Sequence, residues 1–342
     1  MPSNALYFPY IRTPEDAWFT RVLLYWDSVG TIVPGGLEDD PKYISRRMAE
    51  LREEGMLQTV SPAFDLSNIP RFREEFARFL EADEIVARRR RGEPDGLSFT
   101  KVHVFKLGDV AEYLIAQGLA RYGDGPGWEV WIDVEERTAG LFMAYLAATL
   151  GALDDVRMDP VTDHTLGMAA LVGIDSGTGL TLKRARELRL GVLEALLPGP
   201  AAPVAAKALR RFKDEHGDEL AAFRDHVDEE LLKAAALEEV DAQERQAEIS
   251  AKTLARERDE IVSLMEKRRW PGIVFGSVAG VGAVAAGIAG PLVLGGGVAV
   301  AAFGAPGLIP AVYHALKDAR TKPDFGKRPL AYAALAQRQF GP

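Results

Sequence analysis

The chain has 342 residues, 47% of them hydrophobic and 27% charged, which is ordinary for a globular protein and long enough for two domains or one large one. Its net charge of −9 argues against a dedicated nucleic-acid binder, because neutralising phosphate groups requires a basic surface. It contains no cysteine, which excludes disulfide frameworks, thiolate catalysis and cysteine-ligated metal sites.

Strand-like and helix-like segments alternate through the first part of the chain. The predicted strands are residues 5–11, 29–33, 56–61, 101–106 and 128–133. The predicted helices are residues 14–27, 42–54, a helix that begins at Ser67 or Asn68, 109–122 and 135–150. Because parallel strands need a crossover between them, this alternation predicts an α/β domain with a mixed or mostly parallel sheet. We place this domain at residues 1–200 and expect its later part to be mainly helical.

Residues 201–270 are predicted to form a long, charged helical region. From Asp218 to Trp270 there are 53 residues without glycine or proline, and strong helix formers dominate. The apolar stripe along this stretch is interrupted at Arg258. This pattern favours two packed helices, or one helix that docks at both ends, over a free coiled coil.

The composition changes abruptly in residues 271–316, which contain no Asp, Glu, Lys or Arg and include 11 glycines. The segment divides into two pieces, each long enough to cross a bilayer core as a helix. Basic residues flank both ends, which predicts a hydrophobic helical hairpin with both ends in the cytosol, followed by a basic, proline-containing tail at residues 317–342. The residues predicted to contact the membrane are Trp270, Gly272, Gly276, Gly280, Gly290, Pro291 and Tyr313.

Burial inside protein is the alternative for the same segment. Glycines four residues apart, at Gly272, Gly276 and Gly280, let helices approach closely in lipid. The many glycines and prolines contribute little to insertion, however, so the predicted insertion energy is marginal. A hairpin buried in a soluble fold or in a homo-oligomer is therefore also consistent with the sequence.

Acidic residues lie near the ends of the predicted strands. Asp109, Asp133, Glu135 and Glu136 occupy such positions, and Arg12 follows the first predicted strand. Open parallel sheets bind ligands at the carboxyl ends of their strands, and clustered carboxylates can hold Mg²⁺. Helix capping explains Asp109 and Asp133 equally well. We therefore assign no catalytic, cofactor-binding or metal-binding residue.

The histidines have both functional and structural interpretations. His164 follows two acids, Asp159 and Asp163, which suits acid–base chemistry in a pocket but also suits a helix cap or a solvated turn. His216 and His226 lie ten residues apart on a charged helix, without the spacing of metal ligands.

Two segments are candidates for contact with phosphate groups. Residues 171–179 (LVGIDSGTG) resemble the first phosphate loop of actin-like and sugar-kinase ATPases, and the matching residues are Gly173, Asp175, Gly177 and Thr178. A helix-breaking loop is the alternative interpretation. Residues 88–91 are four consecutive arginines, which suit either a helix C-terminus or a contact with a phosphate or lipid headgroup. The chain contains no GxxxxGK[ST] motif.

The opening sequence ALYFPYIRTPEDAWFTRVLLYWDSVGTIVP resembles the start of a bacterial family of uncharacterised proteins, classified as a domain of unknown function. The stretches PVTD at residues 160–163, LLPGP and FKDEHGDELAAFRDHVDE are similar to that family as well. Together they cover most of the chain before the long helix. The resemblance implies bacterial origin and implies no activity, ligand or catalytic residue.

These patterns leave three functional hypotheses. The first is a membrane-associated bacterial protein, an effector that inserts conditionally under the control of its soluble α/β domain and resides in the cytoplasm at the inner membrane. The second is a soluble structural or interaction protein, or a homo-oligomer, with a buried hairpin. The third is a membrane-tethered enzyme of unknown reaction, for which the sequence offers no catalytic signature. The first residues lack the pattern of a signal peptide, so we expect retention in the cytosol.

Overall fold

The computed structural model describes residues 3–62, 69, 71–83, 86, 98–123, 130–164, 180–267 and 328–341. Its strands are β1 Asn4–Tyr7, β2 Val29–Ile32, β3 Leu57–Val60, β4 Phe99–His103, β5 Ala120–Tyr122, β6 Trp131–Glu135 and β7 Met158–Val161. The helices before β7 are α1 Ala17–Tyr25, α2 Arg46–Glu53, α3 Phe72–Glu81, α4 Val104–Leu107, α5 Val110–Ala116 and α6 Glu136–Ala152. The helices after β7 are α7 Leu180–Leu196, α8 Ala206–Glu215, α9 Gly217–Ala235, α10 Val240–Lys267 and α11 Ala331–Phe340.

Four strands form a parallel sheet in the order β3-β2-β1-β7. Strands β2 and β3 lie on one side of β1, and β7 lies on the other side. The strand order therefore reverses between β1 and β7, which is the position where open parallel sheets form a ligand-binding crevice. The strands pack closely: a Cβ added at Gly30 in β2 would lie 2.6 Å from the sulfur of Met158.

The two faces of the parallel sheet carry different layers, because successive residues of a strand point to opposite sides. From β1, Ala5 and Tyr7 pack against a layer made of α1, α2 and α7–α11, which we call the helical layer. Leu6 and the following Phe8 pack on the opposite face against α3, α5, α6 and a second sheet. Residues 185–261 and 330–340 thus share a core with the strands of the parallel sheet.

The second sheet is antiparallel, with β6 between β4 and β5. Helix α6 starts directly after β6 because Glu135 caps it: this buried carboxylate accepts hydrogen bonds from the backbone N–H groups of Arg137 and Thr138, at 3.0 and 2.8 Å. Most of α6 is buried, and the helix contacts β4, β6, β1 and β7. It therefore links the second sheet to the parallel one.

Helices α9 and α10 account for the long charged region. They pack against each other and against α7, and the helical path is broken between Ala235 and Val240. Buried residues on α9 and α10, such as Phe223 and Leu254, belong to the same core. Of the two arrangements that the sequence favours, the described residues show two packed helices and not one unbroken helix.

The predicted α/β class is confirmed, and three local predictions are wrong. The strand predicted over residues 101–106 ends at His103, because the Nδ1 atom of His103 accepts a hydrogen bond from the Phe105 N–H and starts α4. The helix predicted over 109–122 ends at Ala116, and Gly118, with φ of 72°, turns the chain into β5. Strand β7 was not predicted. It contains Pro160, and a proline argues against a strand because it lacks the backbone N–H that pairs with a neighbouring strand.

The predicted hydrophobic hairpin lies outside the described residues, as do residues 317–327 of the tail, whereas residues 328–341 are described and include α11. The predicted membrane-contact residues also lie outside the described residues: Trp270, Gly272, Gly276, Gly280, Gly290, Pro291 and Tyr313. Within the described ranges, no helix combines the length and apolar character needed to cross a bilayer. The predicted division at residues 200, 270 and 316 stays a prediction.

Candidate functional site

A cavity of about 570 Å³ lies at the carboxyl edge of the parallel sheet. Residues 8–12, which follow β1, form one wall, Lys42 and Tyr43 come from the connection after β2, and His164 follows β7. The opposite wall comes from β4, α4, the start of β6 and the first turns of α6. The cavity therefore sits at the reversal of strand order between β1 and β7, closed by the second sheet.

Aromatic rings form much of the cavity wall. Tyr43 and Trp131 lie 5.8 Å apart between ring centroids, and they come from opposite sides of the cavity. At the rim, Tyr10 is 53% exposed and packs edge-on against His164, with centroids 5.1 Å apart. Flat apolar walls of this kind suit a ligand with a planar or apolar part.

The charged side chains around the cavity are predominantly basic. Four cationic residues line it, Arg12, Lys42, Lys101 and Lys106, against one acid, Glu136. No carboxylate of a described residue lies within ion-pair distance of these four cations. In a chain of net charge −9, this is a local concentration of positive charge that favours an anionic ligand.

Arg12 is also part of the cavity's frame. Its Nη2 atom donates hydrogen bonds to the carbonyl oxygens of Lys42 at 2.7 Å and Pro41 at 3.3 Å. These bonds hold the connection after β2 against the chain that leaves β1. They place the Lys42 and Tyr43 side chains beside the cavity.

Lys106, in the last turn of α4, is the buried cation of the group. Its side chain is 4% exposed, and its Nζ atom donates one long hydrogen bond, 3.4 Å, to the carbonyl oxygen of Pro9. Burial lowers the pKa of Lys106 to about 7, because a charged amine loses its hydration there. Lys106 thus brings an amine to the cavity that is close to half protonated at neutral pH.

His103 lies beside Lys106 at the end of β4. Its Nδ1 atom accepts the hydrogen bond from the Phe105 N–H at 3.2 Å, so the neutral ring carries its proton on Nε2. Burial lowers the pKa of His103, and the charge of Lys106 lowers it further. The ring packs against Trp131, with centroids 5.0 Å apart.

The predicted acidic constellation does not form. Glu136 lines the cavity with Arg12, but Asp109 faces Arg73 at 3.7 Å and Asp133 faces Arg121 at 3.8 Å. The fourth acid, Glu135, is fully buried as the cap of α6. Among the described residues no group of His, Asp and Glu could hold a metal ion.

Asp159 in β7 and Asp163 and His164 after it point in different directions. Asp159 is buried towards the helical layer, where its Oδ2 accepts a hydrogen bond from Arg189 at 2.9 Å. Asp163 accepts a hydrogen bond of 3.4 Å from the hydroxyl of Tyr7, and only His164 lines the cavity. The acid–base interpretation is therefore replaced by a structural role for Asp159.

The remaining candidates are two histidines that do not line the cavity and two segments that the structure does not describe. His216 packs against Phe212 in the helical layer, with centroids 4.8 Å apart, and His226 lies on α9. The arginines at 88–91 and the loop residues Gly173, Asp175, Gly177 and Thr178 lie outside the described residues.

Arg12 was named from the sequence as a residue at the strand ends, whereas the cavity lysines Lys42, Lys101 and Lys106 were missed. The alternation in KVHVFK carries a signal for Lys101 and His103, since strand residues two apart share a face. Nothing local marks Lys106 or Lys42, because the cavity is assembled from segments that are distant in the chain.

Comparison with known proteins gave no match: neither family models, nor curated proteins, nor solved structures align significantly with this chain. The resemblance of the opening sequence to an uncharacterised bacterial family stays a prediction.

Proposed function

We propose that the protein binds a small organic anion in the cavity between β1, β7 and the second sheet. The observation that carries the proposal is the set of four cations around the cavity, Arg12, Lys42, Lys101 and Lys106, against the single acid Glu136. A carboxylate or phosphate group meets the exposed cations, and a planar or apolar part packs between the aromatic walls. The reversal of strand order supports the same location.

Thermal melting with a panel of anions tests this proposal. Phosphate, citrate and adenosine monophosphate are added to the parent and to the Lys42→Gln Lys101→Gln variant. A ligand that binds the folded state raises the Tm by mass action. We therefore expect at least one anion to raise the Tm of the parent. The same anion should raise the Tm of the variant much less. Both lysines are exposed, so their removal leaves the fold intact.

The matched control is Lys207→Gln Lys252→Gln, which removes the same charge from exposed positions on α8 and α10. This control must respond to the anion as the parent does. The proposal fails if no anion raises the Tm of the parent. It also fails if the anion raises the Tm of Lys42→Gln Lys101→Gln as much as it raises that of the parent. A loss of response in the control as well would show a non-specific effect of net charge.

A second candidate function is membrane association through residues 271–316. The supporting observation is compositional: the segment carries no Asp, Glu, Lys or Arg and has basic residues on both sides. On this proposal the protein is a conditionally inserting effector at the bacterial inner membrane, whose soluble α/β domain responds to the bound anion. Burial of the segment in a homo-oligomer is the competing outcome.

Val281→Arg separates these outcomes. An arginine in the centre of a membrane helix costs about 2.5–3.5 kcal/mol on the mildest scale, enough to abolish marginal insertion. We expect the parent, but not the variant, to float with vesicles of phosphatidylethanolamine and phosphatidylglycerol, with equal Tm in the absence of lipid. Ile249→Arg, on the exposed side of α10, is the control and should float as the parent does. A much lower Tm for Val281→Arg, with no flotation of the parent, would reject membrane association.

A further inference from the structure

Lys106 is the one lysine among the described residues that is both buried and part of the cavity wall. We propose that its Nζ atom forms an imine with an aldehyde or ketone group of the anion that binds there. This inference rests on the proposed function, since the same cavity holds the ligand. The ligand class is a carbonyl compound that also carries a carboxylate or phosphate group.

The geometry leaves the amine available. Lys106 makes a single long hydrogen bond, to the carbonyl oxygen of Pro9 at 3.4 Å, and no carboxylate of a described residue pairs with it. With a pKa of about 7, Lys106 has a substantial neutral fraction near pH 7, and only the neutral amine has the lone pair that attacks a carbonyl carbon. Burial therefore supplies the activation that this chemistry requires.

The arrangement of charges orients such a ligand. Lys42, Lys101 and Arg12 are exposed at the cavity, whereas Lys106 is buried within it. An anionic group that stays with the exposed cations directs the other end of a short ligand inward, towards Lys106. A ligand with its carbonyl next to its anionic group, such as a 2-oxo acid, fits this arrangement.

The reaction balances without any further reagent. The Nζ lone pair forms a bond to the carbonyl carbon, and a proton moves from nitrogen to oxygen to give a carbinolamine. The nitrogen lone pair then expels the hydroxyl group, which takes the remaining N–H proton and leaves as water, so that the carbon–oxygen bond breaks and the carbon–nitrogen double bond forms. One carbonyl compound and one amine thus give one imine and one water.

Lys213 is an internal control provided by the same chain. It is buried in the helical layer and its pKa is also lowered to about 7, by burial and then by the charge of Arg224. Its Nζ atom, however, donates hydrogen bonds to the carbonyl oxygens of Leu23, Trp26 and Asp27 and does not line the cavity. A lowered pKa alone predicts equal reactivity for both lysines, whereas the cavity predicts reaction at Lys106 only.

The test is reductive trapping with the full-length protein. Glyoxylate, the smallest anionic aldehyde of this class, is incubated with the protein at pH 7.5 in the presence of cyanoborohydride, which reduces an imine to a stable secondary amine. Peptide mapping by mass spectrometry then gives the labelled lysines. We expect Lys106 to be labelled roughly tenfold faster or more than the exposed Lys252, because a pKa near 7 leaves far more neutral amine than an ordinary lysine has.

Acetaldehyde and two variants complete the design. Acetaldehyde lacks the anionic group and should label Lys106 more slowly than glyoxylate does. The Lys42→Gln Lys101→Gln variant should lose that preference while Lys106 stays in place. Lys106→Met should lose the fast label, and an unchanged circular-dichroism spectrum shows that the variant is folded.

The outcomes separate this inference from the proposed function. If anions raise the Tm of the parent but Lys106 labels no faster than Lys252, the imine inference is wrong and anion binding stands. If Lys106 labels rapidly but equally with both aldehydes, the amine is reactive and the anionic ligand class is wrong. Equal labelling of Lys106 and Lys213 would show that the cavity is not the cause of the fast reaction at Lys106.

Discussion

Lys106 and Lys213 occupy opposite sides of the parallel sheet and differ in how their charge is accommodated. Both are buried, and burial lowers the pKa of each to about 7. Lys213 donates hydrogen bonds to three carbonyl oxygens at the C-terminal end of α1, where a helix leaves its last carbonyls unpaired. Lys106 has a single bond of 3.4 Å.

The neighbourhoods of the two lysines differ in the same way. In the helical layer, Arg189 contacts Asp159 at 2.9 Å and Asp228 at 3.1 Å, so its buried charge has partners on β7 and on α9. Around the cavity, no described carboxylate pairs with Arg12, Lys42, Lys101 or Lys106. Buried charges with counter-charges hold the fold together, and cations next to a cavity that have no described carboxylate partner are available to an anionic ligand.

The largest effect is expected at Arg189. Arg189→Met removes the cation that contacts Asp159 at 2.9 Å, and this carboxylate is only 1% exposed. We expect a loss of about 3–5 kcal/mol in the free energy of unfolding, measured by urea denaturation. Arg210→Met removes an exposed i,i+4 pair with Asp214 and should cost less than about 0.5 kcal/mol. Equal losses in the two variants would contradict a structural role for the buried network.

Lys213→Met should have the next largest effect. It removes three hydrogen bonds and leaves the carbonyl oxygens at the end of α1 without those donors. We expect a loss of about 2–3 kcal/mol by the same urea experiment. Anion binding should be unchanged, since Lys213 does not line the cavity. If the variant bound anions more weakly than the parent while folded, the division between the two sides of the sheet would be wrong.

Lys106→Met is expected to have an effect of the opposite sign. Replacing a buried amine that has one weak partner by an apolar side chain of similar length removes a desolvation cost. The free energy of unfolding should therefore increase at pH 7 or below, where the parent has to bury or neutralise the amine. A loss as large as that of Lys213→Met would show that Lys106 is a structural residue.

The pH dependence of stability gives a further effect whose direction is fixed by the folded-state pKa of Lys106. Between pH 7 and about 10.5 the unfolded chain binds a proton at Lys106 that the folded protein has released, because the pKa is about 7 in the folded state. The free energy of unfolding therefore rises with pH across this window. Thermal melts from pH 7 to 9.5 should show a shallower rise for Lys106→Met than for the parent. Parallel curves for the two proteins would place the pKa of Lys106 at its ordinary value.

The sequence predicted the fold better than the site, for a physical reason. The β–α alternation and the two long helices follow from local periodicity, which short segments carry by themselves. The antiparallel sheet was missed because β5 has only three residues and follows directly after a helix. The acids at Asp109, Asp133 and Glu135 drew attention because they are close to strand ends. In the structure, Asp109 pairs with Arg73, Asp133 pairs with Arg121, and Glu135 caps α6.

The cavity depends on contacts between distant segments. Lys106 and Pro9 are 97 residues apart in the chain, and Tyr43 meets Trp131 across a similar separation. No local pattern distinguishes a lysine that will be buried at a cavity from one that will cap a helix, as Lys213 does. That distinction requires the arrangement of the sheets.

The most direct test of this account is an NMR titration that observes both buried lysines in one sample. In protein with ¹³C-labelled lysine, the Cε signals of Lys106 and Lys213 should each titrate near pH 7. Adding whichever of phosphate, citrate or adenosine monophosphate raises the Tm most should raise the pKa of Lys106, because a bound anion stabilises the ammonium form, and should leave Lys213 unchanged. A shift of equal size at both lysines, or no shift at Lys106, would contradict the claim that the cavity is the anion-binding site.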